Sequence, residues 1–336
     1  MDYKYVITSS PHIRSNDSIR KIMLSVLIAL LPAAIMGCVY FGYRALIIIV
    51  LSILSSVGSE YLFNLLMKRE QTIGDLSACI TGLLLAMSLP STVPLWLPVI
   101  GSIFAIIVVK QLFGGLGNNF LNPALAARVF LAMSWPKEMT NWVEPFSKEG
   151  INLIANVDVT TIASTVTPLT SMQALNYSYN NFGELFWGNI GGCIGETSVA
   201  LLLVGAIFLF VRKVISWEVP ATFIGSLAIL SYFFPVSGTQ FAYMLAQVMS
   251  GGLIITAFFM ATDYTTTPVT KLGKFIFGLG CGIITFLIRR YAAYPEGVAY
   301  AVLFMNVLTV VLDYRTRPRR YGKGGVFYGK REKADK

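Results

Sequence analysis

Ten apolar segments follow one another along this chain, most of them separated by short connections. About 20 apolar residues cross the hydrocarbon core of a bilayer as a helix. Only 13% of the residues are charged, whereas a soluble domain carries about 25%, so the chain lacks the polar surface that water requires. The sequence therefore predicts an all-α integral membrane protein with ten transmembrane helices. The predicted spans are 22–40, 45–67, 75–89, 94–112, 120–135, 192–211, 215–235, 241–261, 272–290 and 296–313.

Basic residues mark one end of alternate segments. If the N-terminus is cytoplasmic, the inner ends carry Arg14, Arg20, Lys21, Lys68, Arg69, Lys110, Arg212, Lys213, Lys271 and Lys274. The outer connections carry Arg44 and the pair Arg289 and Arg290. Because cytoplasmic loops hold the excess of Lys and Arg, both termini are expected in the cytoplasm, with the Arg289 pair as the exception.

The C-terminal tail holds nine Lys or Arg against three acidic residues from Asp313 onward. A basic run of this kind suits either nucleic acid or the cytoplasmic end of a membrane protein. The apolar segments favour the second interpretation, so we expect a lipid membrane and no nucleic acid as partner.

One long polar stretch, 136–186, separates the fifth and sixth predicted spans. It holds two lysines against five acidic residues and is rich in Ser, Thr, Asn and Tyr. A loop of this length is either functional or disordered, and the charge pattern places it outside the cytoplasm. The predicted organisation is a membrane repeat at 1–135, this loop, a second membrane repeat at 187–313 and a basic tail at 314–336.

An internal repeat supports the division into two sets of five helices. The segment 80–87 resembles 255–262, and each is followed by a proline and another apolar span that ends in basic residues. Because five is an odd number, the second copy must be inverted in the bilayer. Inverted repeats place functional groups near the midplane, between the halves.

A glycine-rich run at 113–124 leads into the fifth span. Asn122 and Pro123 stand where a helix begins, since proline suits the first helical turn. A helix N-terminus at membrane depth offers free N–H groups to an anion or a polar cofactor. Asn122 and Arg128, which lies within the short helix that follows, are therefore candidate binding residues; an ordinary loop is the other interpretation.

Five acidic residues in apolar segments are expected to be buried: Glu60, Asp75, Glu196, Asp263 and Glu296. The last four are candidates for an ion path. Ionisable groups in membrane spans are costly and usually face a bundle interior or an ion pathway. Asp75, Asp263 and Glu296 also stand near predicted helix ends, where a carboxylate caps the helix or meets water. Glu196 begins a span and suits the dipole of its N-terminus.

Metal and haem sites are not expected from this chain alone. Its four cysteines are far apart and form no Cys-x-x-Cys pair, which argues against zinc or iron–sulfur ligation. The only histidine, His12, precedes the first span, which excludes bis-histidine haem between the helices.

Several motifs in order along nearly the whole chain resemble one family. The chain is similar to the D-type component of Rnf complexes, whose close relative is the B-type component of the sodium-pumping NADH:quinone reductase. The motifs are Gly-Asp-Leu-Ser-Ala-Cys-Ile-Thr-Gly-Leu-Leu at 74–84, the glycine-rich Asn-Pro-Ala run at 113–124, Ile-Gly-Glu-Thr at 194–197, Met-Ala-Thr-Asp at 260–263 and Glu-Gly-Val-Ala-Tyr-Ala-Val at 296–302.

This resemblance implies a subunit of an electron-transfer complex in a bacterial cell (inner) membrane. Such a complex couples ferredoxin oxidation and NAD reduction to outward movement of sodium ions or protons. The implied partners are the Rnf components of types A, B, C, E and G, with ferredoxin and NAD reached only through the complex. Two alternatives stay open: the B-type component of a quinone reductase, and a non-redox channel or transporter built from inverted repeats.

The resemblance also implies FMN bound through a phosphoester to a threonine hydroxyl. The family's attachment motif reads Ser/Thr-Gly-Ala-Thr, commonly followed by Pro-Leu, and Ser164, Thr165, Val166 and Thr167 occupy it here. Thr167 is thus the predicted acceptor. Thr165 and Val166 depart from the usual Gly-Ala, so Thr165 is the second choice, and an accommodating flavin transferase is required.

A second flavin, non-covalent riboflavin, is raised by the same resemblance, and the sequence assigns no residues to it. Arg128 is a candidate for the FMN phosphate by its location in the chain. No residue of this chain is predicted to be catalytic by itself, because the isoalloxazine supplies the redox chemistry.

Overall fold

The computed structural model describes residues 18–146, 167–173, 182–196, 198–236, 238–292 and 296–317. The regular elements among these residues are helices. A 3₁₀ turn at Ile73–Asp75 precedes the third helix. The helices are α1 Ile19–Phe41, α2 Tyr43–Leu66, α3 Ser77–Met87, α4 Trp96–Gln111, α5 Pro123–Ser134, α6 Pro136–Met139, α7 Pro168–Gln173, α8 Phe182–Trp187, α9 Val199–Val211, α10 Glu218–Phe233, α11 Gln240–Met249, α12 Leu253–Met260, α13 Lys271–Tyr291 and α14 Val298–Thr316.

Side-chain hydroxyls begin several of these helices. In each case a Ser or Thr oxygen accepts a hydrogen bond from the N–H three residues later, which satisfies one of the free donors of the first turn. The capping residues are Ser18 of α1, Ser198 of α9, Thr239 of α11 and Thr270 of α13.

Four helices are long and apolar enough to cross a membrane: α1, α2, α13 and α14. The pair α11 and α12 makes a fifth candidate, bent by 62° at the break between its two parts. The other apolar helices, α3, α4, α5, α9 and α10, are shorter. The chain is therefore an all-α, multi-pass membrane protein, and its helical segments coincide with the predicted apolar stretches.

Two predicted spans differ in form from the structure. The predicted span 192–211 becomes helical only at Val199. Residues 194 and 195 instead lie alongside the end of α3. Ile194 N–H donates to Leu89 O at 3.0 Å, and Gly195 N–H donates to Met87 O at 2.8 Å. These bonds satisfy carbonyls that the short helix α3 leaves open, as a low-dielectric environment requires.

The span 241–261 is also interrupted. It forms α11 and α12, with Gly251 and Gly252 in the break, and α12 continues as a π-helix over Thr256–Met260. A second π-helix forms the last part of α4, over Phe104–Gln111. Such π segments are frequent at functional sites.

Close helix packing brings α10 against α13. A Cβ atom at Gly278 would lie 2.7 Å from Val219 O, and one at Gly282 would lie 2.7 Å from Phe223 O. Both glycines therefore allow the two backbones to approach closely, as is common between helices in membranes.

One continuous hydrophobic core joins the two predicted halves, with buried residues from α1, α3, α5, α9, α12, α13 and α14. A smaller core, formed by Leu169, Met172, Leu185, Tyr243 and Ala246, packs α7 and α8 against α11. This smaller core holds the beginning of α7, and therefore Thr167, beside the main bundle.

Candidate functional site beside Thr167

Thr167 lies immediately before α7, at the edge of a cavity that we call the Thr167 cavity. Its unfilled space is about 350 Å³, part of it open to the outside. The Thr167 hydroxyl accepts a hydrogen bond from the N–H of Thr170 at 3.4 Å and shares another with the Thr170 hydroxyl at 3.0 Å. The residues lining this cavity are Thr167, Pro168, Leu169, Ile190, Gly191, Gly192, Glu196, Gly251 and Glu296.

Arg128 reaches the same place from the other predicted half of the chain. It is 6% exposed, and its guanidinium forms an ion pair with Glu296. The Nη2 atom also donates to Cys193 Sγ at 3.4 Å. A buried guanidinium needs such partners because an unpaired charge in an apolar interior is costly.

Arg289 enters the cluster from the end of α13. Its Nη1 atom donates to the backbone oxygen of Gln247 at 2.6 Å and to the Gln247 side chain at 3.0 Å. Its Nη2 atom donates to Ser250 O at 3.1 Å, and its Nε atom donates to Glu296 O at 3.4 Å. Arg289 thus ties the end of α11 to the segment that precedes α14.

Gly251 makes room for this arginine. Its φ of +69° lies in the left-handed region that favours glycine. A Cβ atom at this position would lie 2.9 Å from Arg289 Nη2. The break between α11 and α12 is therefore shaped around the buried guanidinium.

Glu196 completes the cluster from the irregular connection before α9, outside the helical spans. Its Oε2 atom is buried and has no hydrogen-bond partner among the residues that the structure describes. Burial raises the pKa of Glu196 to about 7, with the nearby Glu296 carboxylate acting in the same direction and Arg128 opposing both. Glu196 is therefore expected to change its charge near neutral pH.

Cys193, Glu196 and Glu296 also bring three potential cation ligands together. One ligand atom from each lies within 4.8 Å of the others. Since Arg128 already donates to Cys193 and Glu296, its guanidinium is the cation that these groups hold here. The two arginines and two glutamates make the cluster neutral when both carboxyl groups are ionised.

A second cavity, the Asn122 cavity, has about 780 Å³ of unfilled space, part of it open to the outside. It lies between α1, α3, α5 and α12, and its lining includes Asn119, Asn122, Asp263, Phe258 and Phe259. Asn122 accepts hydrogen bonds from the N–H groups of Ala124 and Leu125 and so caps α5. Its amide nitrogen donates to Met260 O at 3.0 Å, which joins α5 to the end of α12.

The predicted acids therefore separate into different places. Glu196 and Glu296 line the Thr167 cavity, and Asp263 lines the Asn122 cavity, where it accepts a hydrogen bond from the Thr265 hydroxyl at 2.9 Å. Asp75 precedes α3 and accepts hydrogen bonds from the backbone and hydroxyl of Ser77. Asp75 thus has the helix-end role that was the other interpretation of it. Ser164 and Thr165 lie outside the described residues.

The sequence did not predict that two basic residues assigned to outer connections, Arg44 and Arg289, are buried and hydrogen-bonded. Arg44 is 8% exposed and donates to Thr92 O at 3.2 Å and Val93 O at 2.9 Å. Arg289 is 4% exposed. Both arginines are buried and hydrogen-bonded to backbone oxygens. The positive-inside rule concerns basic residues in solvent-exposed loops, so it does not apply to either of them. Arg289 therefore accounts in part for the exception in the charge pattern.

The sequence indicated Glu60 as a buried acid, but its pairing with Lys110 was missed. Lys110 Nζ lies 2.9 Å and 3.1 Å from the two carboxylate oxygens of Glu60 and 2.6 Å from the Ser77 hydroxyl. Thr72 and Gln111 donate to the same carboxylate at 2.8 Å. An acid and a base in apolar segments are the signal for such a pair, but nothing in the sequence joins two residues 50 positions apart.

The fold and the two cavities define a multi-pass membrane protein with a buried ionic cluster beside a hydroxyl group. Comparison with known proteins gives its family. The profile of the NQR2, RnfD, RnfE family matches residues 6–322. The chain belongs to this family, as the sequence motifs predicted.

Three relatives illustrate the similarity. The chain is 43% identical to the D-type component of the Na⁺-translocating ferredoxin:NAD⁺ oxidoreductase complex of Acetobacterium woodii, over 94% of this chain and 95% of the relative. It is 41% identical to the D-type component of the proton-translocating complex of Clostridium ljungdahlii, over 95% and 96%. It is 36% identical to the D-type component of an ion-translocating oxidoreductase complex of Halorhodospira halophila, over 94% and 95%.

Proposed function

We propose that this chain is the D-type membrane component of an ion-translocating ferredoxin:NAD⁺ oxidoreductase and that it carries FMN on Thr167. The observation that carries the first part is similarity over nearly the whole chain to the D-type components of two such complexes. These relatives are almost equally similar to the chain and their names give different ions, sodium and proton.

The ten helical segments are proposed to be ten spans in two inverted sets of five, with both termini cytoplasmic. Two contacts at corresponding positions of the proposed repeats support this arrangement. Lys110, at the end of α4, reaches Ser77 at the start of α3, and Arg289, at the end of α13, reaches Ser250 just before α12. The repeats are 1–135 and 187–313, the loop 136–186 lies outside a bacterial inner membrane, and the tail 314–336 lies inside.

FMN attachment at Thr167 is supported by the position of its hydroxyl. The Thr167 side chain is partly accessible and lies at the edge of the Thr167 cavity. Thr167 directly precedes α7, and the smaller core holds α7 in place. When bound, FMN supplies the electron-transfer chemistry, and the protein supplies position and electrostatic surroundings. A flavin transferase that accepts the Ser-Thr-Val-Thr sequence is the implied maturation partner.

Arg128 is proposed to balance the charge of the cluster. Its guanidinium already contacts Glu296 and Cys193, and the cavity beside Thr167 presents carboxylates to its interior. A phosphate placed there would be repelled by these carboxylates. Contact between Arg128 and the FMN phosphate would therefore require the guanidinium to exchange partners.

The second flavin, riboflavin, is proposed to occupy the Asn122 cavity. This cavity is the larger of the two, has aromatic and aliphatic walls, and offers amide groups from Asn119 and Asn122. Ligand sites typically combine apolar walls with a few polar groups that fix orientation. Asp263 and Glu196 are then proposed to serve ion movement, one at each cavity, with Glu296 beside Glu196.

Flavin fluorescence of the denatured chain tests the proposal. The wild-type band, from cells with a working flavin transferase, is expected to fluoresce under ultraviolet light after electrophoresis, and Thr167→Ala is expected to be dark. Thr140→Ala, at an exposed threonine after α6 that does not contact Thr167, is the matched control and should stay fluorescent. A dark wild-type band would contradict the covalent flavin.

A further inference from the structure

Tyr40 contacts both ends of the loop segment 147–186, which contains Thr167: Phe146 precedes this segment and Trp187 follows it. It lies one residue before the end of α1 and is 5% exposed. Its hydroxyl donates to Trp187 O at 2.8 Å, at the end of α8. Its backbone oxygen accepts a hydrogen bond from Phe146 N–H at 2.9 Å, at the end of the described residues that precede Thr167.

The Phe146 end of the loop is held in an unusual backbone conformation. Phe146 has a φ of +58°, a region that residues with a side chain rarely adopt. Its ring packs edge-on against Tyr40, with centroids 5.2 Å apart. Such conformations persist where surrounding contacts determine them, and here Tyr40 provides both the backbone and the ring contact.

The other end is connected to Thr167 by packing. Trp187 ends α8, and its carbonyl is one that the helix itself leaves open. Leu185, on the same helix, belongs to the smaller core together with Leu169 and Met172 of α7. A shift of α8 would therefore be passed to α7, at whose first turn Thr167 lies.

We propose that Tyr40 is a positioning residue that holds both ends of the loop together and thereby fixes Thr167 and its flavin over the Thr167 cavity. The hydroxyl fixes α8, and the backbone and ring fix Phe146. This inference rests on the proposed attachment of FMN at Thr167. Tyr40 acts through α8 and α7 and touches neither cavity.

Tyr40→Phe isolates the hydroxyl, because the ring contact and the backbone bond to Phe146 are kept. The exposed Tyr43, at the start of α2, offers Tyr43→Phe as a matched control. The full chain is produced with a flavin transferase and purified in detergent. Backbone hydrogen exchange over 182–188 reports whether the Tyr40 hydroxyl holds α8. Time-resolved anisotropy of the flavin emission reports how firmly the cofactor is held.

In Tyr40→Phe, exchange over 182–188 is expected to be about tenfold faster, because a buried hydrogen bond is lost. The flavin anisotropy is expected to decay faster while the band stays fluorescent, and Tyr43→Phe should match the wild type in both. Unchanged exchange would contradict the claim that the Tyr40 hydroxyl fixes α8. Faster exchange with unchanged anisotropy would contradict the claim that Tyr40 positions the flavin. A wild-type chain without flavin on Thr167 would overturn the attachment, and exchange would still decide whether Tyr40 holds α8.

Discussion

Two buried ionic sites of this protein differ in how completely their groups are partnered. The Glu60–Lys110 pair is 1% and 2% exposed at its side chains and is surrounded by donors from Thr72, Ser77 and Gln111. Both sites border a cavity, because Lys110 and Ser77 line the Asn122 cavity. The difference is exposure: the Glu296 side chain beside the Thr167 cavity is 31% exposed. Buried polar networks stabilise a fold when they are fully satisfied. We therefore expect the first site to maintain the fold, and we propose the second for function.

Removing one partner of the first site should have the largest effect on stability. Lys110→Met leaves the Glu60 carboxylate buried without its cation, which costs about 3–5 kcal/mol for a pair of this kind. The measurement is chemical denaturation of the purified chain in mild detergent. The double variant with Glu60→Gln should recover most of the loss, since it removes the isolated charge. If Lys110→Met were as stable as the wild type, the Glu60–Lys110 pair would not maintain the fold.

Arg128→Gln should destabilise the chain less, by about 1–3 kcal/mol, because Glu296 can turn toward water when its partner is lost. Ion transport driven by electron flow in the reconstituted complex should fall strongly. Arg128→Lys should keep part of the transport, since the charge is kept and the planar geometry is lost. Normal transport by Arg128→Gln would remove the cluster from the mechanism.

Glu196→Gln should change stability by less than about 1 kcal/mol, because the variant keeps the shape of the side chain and removes a buried charge. Its effect should appear in the pH profile of ion transport. With a pKa raised to about 7, Glu196 is protonated below neutral pH and ionised above it. The wild type should show an inflection near pH 7 that Glu196→Gln lacks. Glu184→Gln, on an exposed residue of α8, is the control and should keep the inflection.

Most helical segments followed from the sequence to within a few residues, because apolar stretches report burial in lipid directly; the exceptions are the late start at Val199 and the break within 241–261. The predicted span 272–290 corresponds to Lys271–Tyr291, and 296–313 corresponds to Val298–Thr316. The bend between α11 and α12 did not follow, since it depends on Arg289, which reaches Gly251 and Ser250 from another helix. Local composition carries no information about such a contact.

The candidate site was predicted in its residues and not in its arrangement. Glu196 and Glu296 were predicted as candidate ion-path acids, and Arg128 was predicted as a candidate binding residue in the short helix after the glycine-rich run. That they meet beside Thr167 depends on the packing of α5, α7 and α13, and Arg289 joins them for the same reason. The family motifs indicated Thr167 itself, whereas the position of its hydroxyl at the cavity edge required the fold.

Mass spectrometry of the peptide that contains Thr167 tests the central claim most directly. In the purified wild-type complex this peptide should carry the mass of FMN less one water, with the modification located on Thr167 by fragmentation. The unmodified peptide should be the only form in Thr167→Ala. FMN located on Thr165, or a wild-type peptide without FMN, would contradict the account.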